Sequence, residues 1–285
     1  MIIIMLVCFG LVFGSFVDAL VWRLRKQDEL AHPEDIDKKE KLANKSLTSH
    51  DISMSRGRSM CPQCHHTLAA KDLVPVLSWL SLGGKCRYCR APIPWQSPLV
   101  EVLTGALFLL SYVYWPHGFT SLGWVQFGVW LVFLVGFVAL TVYDILWQEL
   151  PDRIVWPLAT LAFVQTVLLT VSKQDWHVLL WASLGVVVIS GLFWLLFEVS
   201  KGKWIGFGDV KLGVVLGLLA GTPLAAMLVI FFASVLGTLA SIPMLVKTKQ
   251  KLQLHVPFGP FLIAGLIIVY FFGSSIISWY QSLMY

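Results

Sequence analysis

The chain has 285 residues, of which 57% are hydrophobic and 13% charged, with a mean hydropathy of +0.77 and a formal net charge of +5. That balance excludes an ordinary water-soluble globule. It also argues against nucleic acid as a partner, because the cations flank apolar segments and no base-stacking aromatic pattern interleaves with them.

Apolar windows of about 20 residues, enough for a helix to cross a hydrocarbon core of roughly 30 Å, fall near 1–22, 99–115, 123–143, 154–171, 177–197 and 258–280. The first window lacks a basic amino-terminal region and an Ala-x-Ala cleavage site, so it reads as a retained span and not as a removable signal peptide. Gly221-Thr222-Pro223 divides the stretch Leu212 to Val246 into a short arm and a longer one, either one kinked span or a tight hairpin. Cations favour the hairpin. Residues 23–97 hold 13 Lys and Arg, and Arg153, Lys201, Lys203, Lys211, Lys247, Lys249 and Lys251 add seven, so a hairpin places 20 of the 21 cations on one side with Lys173 opposite. Cationic loops stay in the cytoplasm. The expected fold is therefore an all-α polytopic membrane protein of about eight transmembrane helices, with both chain ends outside.

Between the first two windows lies a cytoplasmic insert, about 23–97. Pro33, Glu34 and Asp35 followed by Lys38, Lys39 and Lys41 suit a short exposed helix with acids at its start and bases at its end, or simply a charged linker. Cys61-Pro62-Gln63-Cys64 and Cys86-Arg87-Tyr88-Cys89 form two knuckles, each with the two-residue gap that lets adjacent thiolates grip one tetrahedral ion. A polar segment this small lacks a core of its own, and a structural Zn²⁺ supplies what is missing, about 10–16 kcal/mol in small zinc modules. An iron site of the same four thiolates, or a redox pair, competes with this reading. His65 and His66 are surface residues on this view, and Cys8 is a small packing residue within an apolar helix.

Acids inside apolar segments are expensive, so Asp18, Glu101, Asp144, Glu198 and Asp209 call for individual reasons. All five fall near the cytoplasmic ends of their segments, which disfavours a proton or ion wire across the bilayer and favours a site opening to one face. Glu198 reads as a helix-end acid at the headgroups. Glu101 follows Pro98 near the start of its helix, where the dipole favours a carboxylate. Asp18 shares a stripe with Gly10 and Gly14, which turns it toward protein. Asp209 follows Gly206 and Gly208, and Gly213, Gly217 and Gly221 continue at intervals of four, so its helix can pack closely enough to bring it near Asp144. Two adjoining carboxylates share one proton, and the ionised one activates water against a peptide carbonyl, as in aspartic proteases. Gly206-Phe207-Gly208 fails as a nucleotide fingerprint, with no preceding strand and no third glycine.

Taken together, Gly10 to Arg23, the Cys61–Cys89 region with Asp72-Leu73-Val74-Pro75 and Ser78-Trp79-Leu80, Pro98 to Glu101, Asp144 with Pro151-Asp152, Gly206 to Leu212 and Pro257 to Phe261 resemble the type IV prepilin peptidases over nearly the whole chain. The resemblance implies a membrane aspartyl endopeptidase of the bacterial inner membrane. Its substrates would be prepilins, or pseudopilins of type II secretion, cut after a glycine on the cytoplasmic side, with Asp144 and Asp209 as the catalytic pair. It further implies, through the four-cysteine insert, N-methylation of the new amino terminus with S-adenosylmethionine; a cleavage-only enzyme is the alternative. Gly206, Gly208, Lys211, Glu101 and Asp18 are candidate substrate-binding or supporting residues. Asp18 stands where the family commonly has asparagine, and Leu150 where isoleucine often precedes the Pro-Asp pair. The expected division is 1–22 as first span, 23–97 as insert with its zinc module at 61–89, and 98–285 as protease domain. Membrane lipid is a partner, and the oligomeric state stays open. A transporter or metal sensor is the reading from another class, and the one-sided placement of the acids weighs against it.

Overall fold

The computed structural model describes residues 1–32, 51–54, 57–247 and 256–284. In a bilayer no water satisfies backbone polar groups, so long apolar runs close their hydrogen bonds within helices. The described helices are α1 (Ile2–Ala31), the short α2 (Leu77–Ser81), α3 (Gln96–Val113), α4 (Ser121–Trp147), α5 (Asp152–Lys173), α6 (His177–Ser200), α7 (Phe207–Ala220), α8 (Pro223–Lys247) and α9 (Gly259–Met284). By length and composition seven of these, all but α2 and α7, can cross a membrane. With 14 residues α7 is about 21 Å long and falls short of a full crossing. It is the eighth helix expected from the sequence. The break that separates it from α8 falls where Gly221-Thr222 predicts: Gly221 ends α7 at φ +73°, a left-handed conformation that glycine adopts without strain, and the Thr222 hydroxyl accepts from the Ala225 N–H at 3.2 Å.

Two compact units emerge, Met1–Val113 with Gln126–Val142, and Tyr114–Val125 with Tyr143–Tyr285. In the first, α1 packs against α3 through the predicted glycine stripe. A Cβ at Gly10 would lie 2.6 Å from Gly105 Cα, and one at Gly14 would lie 2.5 Å from Glu101 Cα. The two backbones therefore touch. Trp130 of α4 is fully buried and donates to the Ser111 hydroxyl of α3 at 3.0 Å. In the second unit the same device seats α7 on α6, with Gly213 against Ser190 and Gly217 against Val186. Residues Val187–Gly191 of α6 form a π-helical turn, and from it the Ser190 hydroxyl donates to the Val210 carbonyl of α7 at 2.8 Å.

Several expectations need adjustment. The first helix runs on to Ala31, nine residues beyond the apolar window, because Arg25 and Lys26 pair with Glu29 at helical spacing and Arg23 and Gln27 donate to carbonyls of Gly57 and Ile52. Cys8 lies on the exposed side of α1 and not in a packing seam. The charged segment from Pro33 to Lys41, with Lys249 and Lys251, lies outside the described residues.

Candidate active site and thiol module

Asp144 occupies the last turn of α4, which closes at Gln148 in a left-handed cap (φ +56°) whose N–H donates to the Asp144 carbonyl at 2.8 Å. A carboxylate at a helix carboxyl end meets an unfavourable dipole. A different helix compensates: the backbone N–H of Gly259, first residue of α9, donates to Asp144 Oδ2 at 3.0 Å. Asp144 is thus buried at the amino end of α9, where an otherwise unsatisfied N–H and a positive dipole end both favour negative charge. Glycine at 259 leaves room for this contact, since a Cβ there would stand 2.7 Å from Oδ2 and push the carboxylate aside.

Asp209 lies in the first turn of its own helix, α7, behind Gly206 in extended conformation. Its carboxylate and that of Asp144 are within electrostatic reach of one another. Leu150 marks the seam between them, touching the position of a Cβ on Gly208 at 3.0 Å and of one on Gly259 at 3.6 Å. Lys211 points elsewhere: its Nζ is 2.6 Å from Asp152 Oδ1 and lies over the Phe207 ring, so it ties α7 to the start of α5.

In the first unit, the two cysteine knuckles are built alike. Cys61 N–H donates to the His66 carbonyl (3.0 Å) and Cys86 N–H to that of Ala91 (2.8 Å). The residues after the second cysteines, His65 and Arg90, both take positive φ, at 54° and 61°. Isolated antiparallel bridges, Met60 with Thr67 and Lys85 with Pro92, close the two turns. All four sulfurs lie within 4.8 Å of one another, and Cys61 and Cys89 Sγ are 3.8 Å apart. Four thiolates around a tetrahedral ion with metal–sulfur bonds of about 2.3 Å stand about 3.8 Å apart, so the donor set fits a single metal ion. Burial pushes the Cys61 thiol up to about 12; at Cys86 burial acts the same way, but hydrogen bonds from the backbone N–H groups of Cys89 and Tyr88 and from the Cys61 and Cys89 thiols together outweigh it and bring the thiol down to about 7. A divalent cation is the partner that lets all four ionise. Around the cluster the His66 and Tyr88 rings meet tilted, with centroids 3.8 Å apart, and Asp72 accepts from Arg87 Nε (2.6 Å) and the Tyr88 hydroxyl (3.0 Å). These contacts join the two knuckles independently of any ion.

Of the remaining acids, Asp18 and Glu101 belong to this same unit, while Glu198 lies exposed in the other. Glu101 is buried and accepts the Val76 N–H at 2.6 Å; Asp18 accepts from Ser97 Oγ (2.6 Å) and Gln96 Nε2 (3.2 Å). Asp18 and Glu101 are therefore grouped with the insert, whereas Asp144, Asp209, Gly206, Gly208 and Lys211 are grouped in the other unit.

Comparison with known proteins supplies the family. The bacterial peptidase A24 N-terminal domain matches residues 8–115, and the type IV leader peptidase family matches residues 131–242. A leader peptide-processing enzyme for type 4 prepilin-like proteins from Escherichia coli is 33% identical over 270 residues, 92% of this chain and 91% of the relative. Prepilin leader peptidase/N-methyltransferases from Stutzerimonas stutzeri and Pseudomonas aeruginosa are each 33% identical, covering 90% of this chain and 86% of their own lengths. The chain belongs to the type IV leader peptidase family. No solved structure matches it.

The four thiols fall within the amino-terminal match, and Asp144 and Asp209 both fall within the leader peptidase match. Three partners of these groups escape a reading of residue types. Gly259 acts through its backbone N–H, which has no side-chain signature, although Pro257 to Phe261 is one of the stretches that carry the sequence resemblance. Leu150 acts by shape. Ser190 donates from a π-turn that apolar periodicity does not reveal.

Proposed function

We propose that this protein is a membrane aspartyl endopeptidase that removes the short basic leader of type IV prepilins or pseudopilins, cutting after glycine at the cytoplasmic face of the bacterial inner membrane, and then methylates the new amino terminus. The single observation that carries the reading is that Leu150 lies against both Gly208, next to Asp209, and Gly259, whose N–H holds Asp144, so that three helices remote in sequence bring the two acids to one place.

In the proposed reaction one carboxyl holds a proton and the other takes one from a water molecule as that water attacks the scissile carbonyl carbon. The protonated carboxyl donates to the carbonyl oxygen, giving a tetrahedral diol. Collapse breaks the C–N bond, and the nitrogen leaves with a proton from the acid pair. The Gly259 N–H holds Asp144 in place through these transfers, and the glycines before and within the first turn of α7 let a substrate backbone approach Asp209. A prepilin keeps its basic leader in the cytoplasm while its apolar helix lies in the membrane, which delivers the scissile bond to this depth.

The thiol module would hold a structural Zn²⁺ through Cys61, Cys64, Cys86 and Cys89, an ion that fixes the fold of the insert and takes no part in cleavage. Methylation of the new amino terminus with S-adenosylmethionine is carried by the family relationship and by the presence of this insert. Division at 1–22, 23–97 and 98–285 remains the proposed functional organisation, with the insert serving methylation and the remainder proteolysis. Incubating the purified protein with a prepilin, with and without S-adenosylmethionine, tests both activities by mass spectrometry of the mature amino terminus. Cleavage after glycine plus a 14 Da gain with the donor is expected. An unmodified new terminus would leave a cleavage-only enzyme, and an intact prepilin would refute the proposal.

A further inference from the structure

Glu101 lies five residues inside α3, about 7.5 Å along the helix from Gln96. Its carboxylate nevertheless binds the backbone of the insert, at Val76 N–H. The loop leading into α2 therefore reaches down to the second turn of a membrane-spanning helix. At this depth α3 presents Leu99 and Val102 outward, 67% and 51% exposed, which is the surface a span turns to lipid. Beside it α2 presents Leu77 and Leu80, 64% and 59% exposed, and Trp95, at the entry to α3, is 74% exposed with its ring 4.2 Å from that of Trp79.

The backbone here is adapted to a place without water. Val76 has φ +60° and ψ −49°, a strained γ-turn for a β-branched residue, closed by the Leu77 N–H on the Pro75 carbonyl. Pro75 has no N–H, Val76 N–H goes to Glu101, and Ser78 N–H goes to the Val74 carbonyl at 3.0 Å. Irregular backbone at membrane depth is tolerated only when its donors are satisfied in this way. The same reasoning explains why a buried glutamate is kept inside the span. Exposed Lys71 and Lys85 bracket the segment, as anionic headgroups favour.

We propose that Leu73–Leu82 together with Trp95 is a membrane-surface anchor: Leu77, Leu80 and the Trp95 ring sit at the boundary of headgroups and acyl chains in the leaflet that α3 enters, continuing the lipid-facing surface of Leu99 and Val102. The insert is thus seated in the bilayer at one edge, and the thiol module is held at a set height above it. The occupant of this face is lipid, not a pilin helix and not a second copy of the chain.

The test uses the unaltered protein in vesicles of zwitterionic and anionic phospholipid doped with a phospholipid that carries a photoactivatable diazirine on its acyl chain. Trypsin releases Asp72–Lys85, which contains α2, and Ser59–Lys71, which contains the first knuckle. After irradiation Asp72–Lys85 should carry lipid adduct several-fold above Ser59–Lys71. Replacing Leu77 and Leu80 together by Asp should bring it down to the Ser59–Lys71 level, with bound metal unchanged as the check on folding. Equal labelling of the two peptides in the unaltered protein would overturn the proposal, as would labelling of Asp72–Lys85 that appears only when a prepilin is added.

Discussion

Cys61 and Cys89 are 28 residues apart and bring their sulfurs to 3.8 Å through two copies of one short turn, whereas Asp144 meets the Gly259 N–H across 115 residues and needs α4 and α9 both in place. The thiol module is local, almost without a hydrophobic core, and suited to an ion that supplies its cohesion. The carboxylate site depends on helix packing: glycine seams bring the helices together, and helix amino ends hold the two acids. Damage should therefore propagate differently. Loss of the metal should unfold one small region, and loss of a packing contact should misplace a catalytic atom while leaving the fold standing.

The largest effect belongs to the metal. Replacing Cys61 and Cys64 by Ser removes half of the thiols proposed to hold an ion whose apparent binding energy in small modules is about 10–16 kcal/mol. Metal content should fall to zero, Asp72–Lys85 should become rapidly exchanging in deuterium-exchange measurements, and methylation should drop far more than cleavage. Equal loss of both activities would show that the module supports the whole enzyme and would erase the contrast drawn above.

Gly259→Ala probes the other side. Its Cβ would stand 2.7 Å from Asp144 Oδ2, so the carboxylate has to move, and a displacement of that kind costs about 100-fold in rate. Prepilin cleavage should fall by that order, while methylation of an already processed pilin stays within twofold of the unaltered protein. Glu101→Ala leaves the Val76 N–H without its acceptor, at a cost of about 1–3 kcal/mol. It should lower the thermal midpoint of the insert, with Glu101→Gln restoring most of it because an amide oxygen still accepts.

Asp72→Asn should have the smallest effect. Hydrogen bonding from Arg87 holds the Asp72 carboxyl below the usual carboxylate range. A depressed carboxyl stabilises the fold above its unfolded pKa, and that contribution is lost as pH falls through the lowered folded value. The pair is partly solvated, so the variant should cost less than about 1 kcal/mol at neutral pH. The difference between the two proteins should vanish under acid, as followed by Tyr or Trp fluorescence of the insert.

What the residues disclose in advance follows the same division. The knuckles are legible because ligand type and spacing are themselves the chemistry, and the glycines at 10, 14, 213 and 217 are legible because close backbone approach requires them at intervals of four. Asp144 and Asp209 stand out as acids that apolar segments would otherwise exclude. Backbone groups and shapes are not legible. Nothing in Gly259 announces that its N–H will hold an acid from α4, and nothing in Val76 announces a left-handed turn whose N–H needs Glu101. The continuation of α1 to Ala31 is hidden because Arg25, Lys26 and Glu29 look like solvated loop until their helical spacing is counted. The π-turn at Val187–Gly191 sits in an apolar run that reads equally well as ordinary α-helix.

The central claim is that Asp144 and Asp209 work as one acid pair, and cleavage of a single prepilin by Asp144→Asn, Asp209→Asn and the double variant tests it most directly. Each substitution keeps the size of the side chain, so helix content and bound metal should be unchanged, and each alone should lower cleavage by about 10³-fold or more, with the double variant no worse than either. Substantial processing by either single variant would contradict the account.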